Sequence, residues 1–118
     1  MSDPRAPFAV VMLTFNEELN LPKALASIGR RAPVVIVDSE SSDRTPELAR
    51  EHGAEFIVHP FEDYASQRNF ALEQVAARYR WIFFLDADEE FTPELWDEVS
   101  RVCAEDQVDG AYVRLDVR

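Results

Sequence analysis

Apolar residues in this chain gather into short unbroken runs, and each run stops at a polar or acidic cluster. The clearest is Trp81-Ile82-Phe83-Phe84-Leu85, which ends at Asp86-Ala87-Asp88-Glu89-Glu90. A continuous run of this kind reads as a strand buried on both faces, the pattern of a central parallel-sheet strand. Residues 8–15 (FAVVMLTF) form a similar strand ending at Asn16-Glu17-Glu18, residues 33–38 (PVVIVD) a second ending in an acid, and residues 54–58 a shorter third. Between these runs the apolar spacing becomes helical. Leu21, Ala24, Leu25 and Ile28 make one stripe, with Asn20 as the expected N-cap, Pro22 in the first turn and Gly29 at the end. Thr45 is expected to cap a second helix that closes at Gly53. Ala71, Leu72, Val75, Ala76 and Tyr79 stripe a third within residues 61–79, and Thr92-Pro93 opens a fourth bearing Leu95, Trp96, Val99, Val102 and Cys103. Residues 108–117 alternate and read as a half-exposed strand.

Strand and helix therefore alternate throughout, which predicts an α/β fold: a mostly parallel sheet with helices on both faces. In such sheets ligands bind at the carboxyl ends of the strands. The polar clusters converge on that rim.

Composition narrows the function. At 118 residues and 47% hydrophobic content the whole chain, 1–118, reads as one folded domain. A formal net charge of -11 argues against nucleic acid or an anionic membrane as partner. The single cysteine, Cys103, allows no internal disulfide and reads as a buried thiol in a reducing compartment. No leader is seen before the first strand, and no apolar run nears the roughly 18 residues that span a bilayer. The expectation is a cytoplasmic protein, with peripheral association at the inner membrane left open.

Asp86 and Asp88, one residue apart at a strand end, can turn the same way while Ala87 turns the other. Two carboxylates so placed repel unless a cation or shared proton intervenes, and Mg²⁺ or Mn²⁺ completed by phosphate oxygens suits them. A solvated acidic turn leading into the next helix is the plainer alternative. With only three glycines, the chain has neither GxGxxG nor a Walker-type loop, so a phosphorylated ligand would need its charge met by a metal. Arg68, three and four residues before Ala71 and Leu72, falls on the sheet-facing stripe and needs an anionic partner: a ligand, or a rim carboxylate such as Asp38 or Asp86. Gln67 and Asn69 beside it read as helix-flank residues. His59 reads as structural, and His52 as a favourable charge at a helix's carboxyl end. Trp81 and Trp96 read as core.

The segments VVMLTFNEELNL, VVIVDSESSDRT, ASQRNFAL and WIFFLDADE, in this order and spacing, resemble the nucleotide-sugar-binding half of family 2 glycosyltransferases with the GT-A (Rossmann-like) fold. The likeness is greatest to the bacterial subgroup that builds the lipopolysaccharide core. By that resemblance Thr14, Phe15 and Glu17 would line the uracil and ribose, Asp38 would bond the base, and Arg68 would sit near the nucleotide. Asp86 would face the ribose or order the site, and Asp88 would coordinate the metal. The implied reaction is an inverting transfer from a nucleotide-diphospho sugar, most simply a UDP-sugar, to a glycan or lipid-linked acceptor. Glu40 stands where many relatives carry a small residue or glycine.

The resemblance also implies that the catalytic base lies in an acceptor-binding half beyond the Asp-x-Asp, so the chain is expected to stop before that half. Its catalytic residue is not assigned. Two other readings stand beside this one. The first is a noncatalytic nucleotide-binding or interaction module. The second is an Asp-x-Asp phosphohydrolase, which the motif's place after the fourth strand disfavours. An apolar face left open on residues 108–117 would favour a homo-oligomer.

Overall fold

The computed structural model describes residues 8–79, 81–105 and 113–115. Five strands and four helices alternate: β1 (Phe8–Thr14), α1 (Leu21–Ile28), β2 (Val34–Asp38), α2 (Thr45–His52), β3 (Glu55–Val58), α3 (Tyr64–Val75), β4 (Trp81–Phe84), α4 (Pro93–Glu105) and β5 (Val113–Leu115). They form one sheet of order β3-β2-β1-β4-β5 in which every described pairing is parallel. The expected α/β architecture is what the chain adopts. Most of the alternating segment 108–117, and all its side chains, lie outside the described residues.

Period-two alternation sorts the strand residues onto two faces. Phe8, Val10 and Met12 of β1, with Val34, Ile36, Trp81 and Phe83, meet α1, α2 and α4 in the larger core. Val11, Val35, Val37 and Ile82 turn to the opposite face, where Ala71 and Val75 of α3 cover them. Each fully buried large side chain contributes on the order of 1.5–3 kcal/mol, so the three-helix face dominates stability. Its centre is aromatic: the Phe91 ring lies 5.1 Å from Phe83, 5.2 Å from Trp96 and 5.9 Å from Phe8. Trp81 and Cys103 are buried as expected, while Trp96 is only partly covered and carries Arg31 4.1 Å above its ring.

The helix ends differ in detail from the sequence reading. Thr92 does cap α4, accepting the Leu95 amide at 3.1 Å. Asn20 occupies the cap position of α1 but its side-chain oxygen makes no capping bond; its side-chain amide donates to Glu17 Oε1. Thr45 is the first residue of α2, not its cap; Asp43 Oδ1 accepts both its amide (2.9 Å) and its hydroxyl (2.6 Å). Asp63, not singled out in the sequence, caps α3 through the Ser66 amide at 2.7 Å. Gly53 ends α2 with φ of 91°, and a Cβ there would sit 2.7 Å from the Arg30 guanidinium.

His52 does lie in the last turn of α2, but this packing works against a positive charge there. Burial and the neighbouring Arg30 hold its imidazole below the ordinary value of 6.5, against a hydrogen bond with the Gly29 backbone. Arg30 already supplies the cation at this helix end. Asp43 is displaced the same way for a different reason: burial opposes its ionisation, but donors from Thr45 and the Glu18 amide outweigh burial and hold it below 3.8. Both folded values are depressed, so the stability they contribute is full above the unfolded pKa and is lost as pH falls through the folded one. The melting temperature is therefore expected to fall on acidification in two stages, the first beginning below about pH 6.5. His52→Gln should flatten that first stage, which thermal melts across pH test directly; an unchanged profile in the variant would refute the assignment.

Candidate functional site

Parallel register brings Thr14 opposite Asp38, and Asp38 opposite Val58, so three strands end together. Asp38 is 1% exposed. Its Oδ1 accepts the Thr14 hydroxyl and the Ser41 hydroxyl, each at 2.6 Å, and its Oδ2 accepts the Ser41 amide at 2.7 Å. A buried carboxylate of this kind needs such donors to offset its lost hydration. The acid at the end of β2 thus folds the loop after β2 back onto itself and ties it to β1.

A second set of bonds joins the loops that follow β1 and β2. Asn16 donates its amide to Ser41 Oγ at 2.7 Å and accepts the Ser42 amide at 2.8 Å. The Glu17 amide bonds Thr45 Oγ1, the Glu18 amide bonds Asp43 Oδ2, and Glu18 Oε1 accepts the Arg44 amide. Residues read in the sequence as a polar ligand cluster therefore serve first to hold each other. Two loop residues adopt left-handed backbone, Asn16 with φ of 51° and Glu40 with φ of 65°. Asparagine tolerates that region; glutamate does so at a cost on the order of 1–2 kcal/mol. This gives Glu40 a physical account: it sits in a conformation that suits glycine. Glu40→Gly is expected to stabilise the chain by up to about 1 kcal/mol, after the larger entropy loss of glycine is subtracted. Chemical denaturation measures it, and a destabilised variant would contradict it.

Over this framework lies a cavity of about 370 Å³, lined by Leu13, Thr14, Phe15, Glu17, Ser39, Phe61, Tyr64 and Gln67. Three of the site residues read from sequence, Thr14, Phe15 and Glu17, meet there, with Asp38 bonded to Thr14 behind them. Gln67 was missed. It is buried, donates to Ser39 Oγ (3.2 Å) and to the His59 carbonyl (3.1 Å), and its Oε1 lies 2.9 Å from His59 Nδ1. The signal was available: Gln67, Ala71 and Val75 are spaced i, i+4, i+8, so a polar residue stands on the buried stripe of α3. His59 is structural as expected, stacked 3.8 Å from Phe70.

The remaining site residues lie at the end of β4. The Leu85 amide continues the ladder to the Val11 carbonyl, and then the chain turns: the Glu89 amide bonds the Asp86 carbonyl at 2.9 Å while Glu89 Oε1 accepts the Asp86 amide. Leu85 and Ala87 are buried, Asp86 and Asp88 exposed, as the alternation requires. The turn is anchored beyond it by Phe91, whose amide bonds Ser27 of α1 at 2.8 Å. Arg68 places its guanidinium 5.0 Å above the Phe84 ring. Of the two partners read for Arg68, a ligand or a rim carboxylate, no ion pair with Asp38 or Asp86 is made among the described residues, and Asp38 is already satisfied by hydroxyl and amide donors.

No cluster of three metal-ligating side chains occurs among the described residues. A hard cation that shares its shell with phosphate and water needs only one or two carboxylates, however. Asp88 offers one, exposed and at a turn whose backbone Glu89 fixes. Its neighbours are engaged: Glu89 with the Asp86 amide, and Glu90 with Lys23 at 3.4 Å. The donor set fits a divalent ion completed by a ligand.

A family model described as Glycosyl transferase family 2 matches residues 9–118. The lipopolysaccharide core biosynthesis glycosyltransferase LpsC of Rhizobium meliloti is 38% identical over 104 residues, which cover 78% of this chain and 38% of LpsC. An uncharacterized glycosyltransferase of Rickettsia bellii is 36% identical over 99 residues, 83% of this chain and 33% of that protein. The chain thus spans about a third of the length of the curated relatives it matches. Among solved structures, the mannosyltransferase PcManGT from Pyrobaculum calidifontis, in complex with GDP-Man and Mn²⁺, aligns with a TM-score of 0.67 at 23% identity over 87% of this chain and 33% of its own. S. aureus TarS in complex with UDP aligns at 0.64 and 23% identity, over 90% of this chain and 37% of its own. These likenesses are of fold.

Proposed function

Since the chain belongs to glycosyl transferase family 2, we propose that it binds the nucleotide part of a nucleotide-diphospho sugar, a UDP-sugar in the first instance, with Mg²⁺ or Mn²⁺ held at Asp88. The observation that carries this reading is the adjacency of two features on one rim. One is the cavity where β1 and β2 end, and the other is the exposed carboxylate turn where the neighbouring β4 ends.

In this reading Thr14, Phe15 and Glu17 bound the base and ribose. Asp38 holds Thr14 and the Ser41 loop in place, and one Oδ2 lone pair remains to accept from the base. Arg68, supported on Phe84 and with no carboxylate partner among the described residues, faces the diphosphate. Asp86 orders the turn and borders the ribose. A divalent cation at Asp88 would offset the charge that develops on the departing nucleoside diphosphate.

Transfer to a glycan or lipid-linked acceptor, with the lipopolysaccharide core as the first candidate from the similarity to LpsC, belongs to the same proposal. So does a cytoplasmic setting with peripheral contact at the inner membrane; no helix among the described residues is long and apolar enough to cross a membrane. No base is assigned, since Glu89 and Glu90 are engaged and Glu94 lies in the first turn of α4. Calorimetric titration of UDP with and without Mn²⁺ tests the donor reading. Metal-dependent binding supports it; no binding, or binding indifferent to metal, refutes it.

A further inference from the structure

Large apolar side chains that remain exposed in this molecule are not scattered. Among the described residues they are Phe15, Leu19, Val58, Phe61 and Tyr64, and all lie at or just beyond the carboxyl ends of β1 and β3. Exposed apolar surface concentrated on one rim and bordered by polar groups marks a place where something docks. Three of the five, Phe15, Phe61 and Tyr64, line the 370 Å³ cavity, together with the polar Thr14, Ser39 and Gln67.

The rings come from different loops. Phe15 follows β1, whereas Phe61 and Tyr64 stand where the chain enters α3, packed edge to face with centroids 5.2 Å apart. Their approach is held from below. Gln67 grips the His59 carbonyl and ring, and Asp63 caps α3, so both ends of the segment carrying Phe61 are fixed. Tyr64 is 74% exposed and Phe61 46%, so neither is needed to fill the core. A preformed aromatic wall over a small polar floor suits a flat heterocycle with hydrogen-bonding edges. Ser39 adds to the floor: its hydroxyl oxygen accepts from Gln67, which leaves its own proton free to donate.

We propose that Phe61 and Tyr64 form a stacking wall for the nucleobase of the donor and are its affinity-determining residues, with Phe15 bounding the same pocket from the β1 loop. The inference rests on the donor reading above and deepens it, because motifs at the ends of β1, β2 and β4 assign nothing to the segment between β3 and α3.

The experiment compares two probes on the full chain in the presence of Mn²⁺, UDP and inorganic pyrophosphate, with Phe61→Ala, Tyr64→Ala and Tyr64→Phe beside the parent. Stacking of one base on an aromatic ring corresponds to about a 5- to 150-fold change in affinity. Each alanine variant is expected to lose UDP affinity within that range while binding pyrophosphate as the parent does, and Tyr64→Phe should retain UDP binding. Parent binding of UDP with undiminished affinity in both alanine variants overturns the stacking wall and leaves the donor reading standing. Equal loss of both probes assigns the two rings a structural role instead and also overturns it. A parent that binds neither probe removes the donor reading and this inference together.

Discussion

Replacing Asp88 with alanine is expected to weaken Mn²⁺-dependent UDP binding on the order of 100-fold or more while leaving the fold intact. Outer-shell partners of a bound metal typically matter by 10- to 100-fold, and a direct ligand lies at or above that range. The side chain is exposed, so its removal uncovers no core. The turn that carries it is closed by the Asp86 and Glu89 backbones and by the Glu89 carboxylate, none of which the substitution touches. The expected signature is therefore selective: an unchanged denaturation midpoint, lost metal-dependent heat in calorimetry, and retention of whatever weak UDP binding persists without metal. Full metal-dependent affinity in Asp88→Ala would falsify the assignment of the cation site.

Asp38→Ala should act in the opposite manner, through the fold first. The substitution strands the Thr14 hydroxyl, the Ser41 amide and the Ser41 hydroxyl beside a cavity at a position that is 1% exposed. A buried donor left unmatched costs about 1–3 kcal/mol, and hydroxyls can partly rotate toward other acceptors, so a loss of about 3 kcal/mol is expected. Against the roughly 5–15 kcal/mol that stabilises a domain, that is a large share. Urea denaturation reads it as a lower midpoint with an unchanged slope. A variant within about 1 kcal/mol of the parent would mean that these three bonds contribute little net stability. UDP binding should fall as well, because Thr14 and the Ser41 loop lose the group that positions them. Comparing the two variants separates a residue that binds from one that organises.

The fold was legible because burial writes itself into apolar runs. Residues 34–37 and 81–83 are buried with no alternation to confuse them, and α1 shows its stripe at Leu21, Ala24, Leu25 and Ile28. The site was legible in part. Thr14, Phe15 and Glu17 line one cavity because they follow one another at the end of β1. Partnerships were not legible, since a carboxylate at a strand end looks the same whether or not, like Asp38, it also holds three donors of its own chain. For Arg68 the sequence left a ligand and a rim carboxylate as alternatives and gave no sign of the Phe84 ring beneath it, because a ring face supports a guanidinium without leaving a charge pattern in the sequence. Gln67 read as a helix-flank residue, and Phe61 and Tyr64 drew no role, because a polar residue on a helix and aromatics at its entry look ordinary until burial and exposure are known.

The five hydrogen bonds between residues 16–18 and residues 41–45 bear on how this protein can be recombined. Each loop supplies both donors and acceptors to the other, so neither carries its own geometry. A chimera that imports residues 39–44 from a relative lacking the Ser41 hydroxyl and the Asp43 carboxylate would leave the amides of Asn16 and Glu18 without their acceptors, whatever the quality of the imported loop. The two segments, bonded across 25 to 28 residues of sequence, form one cassette and exchange successfully only together.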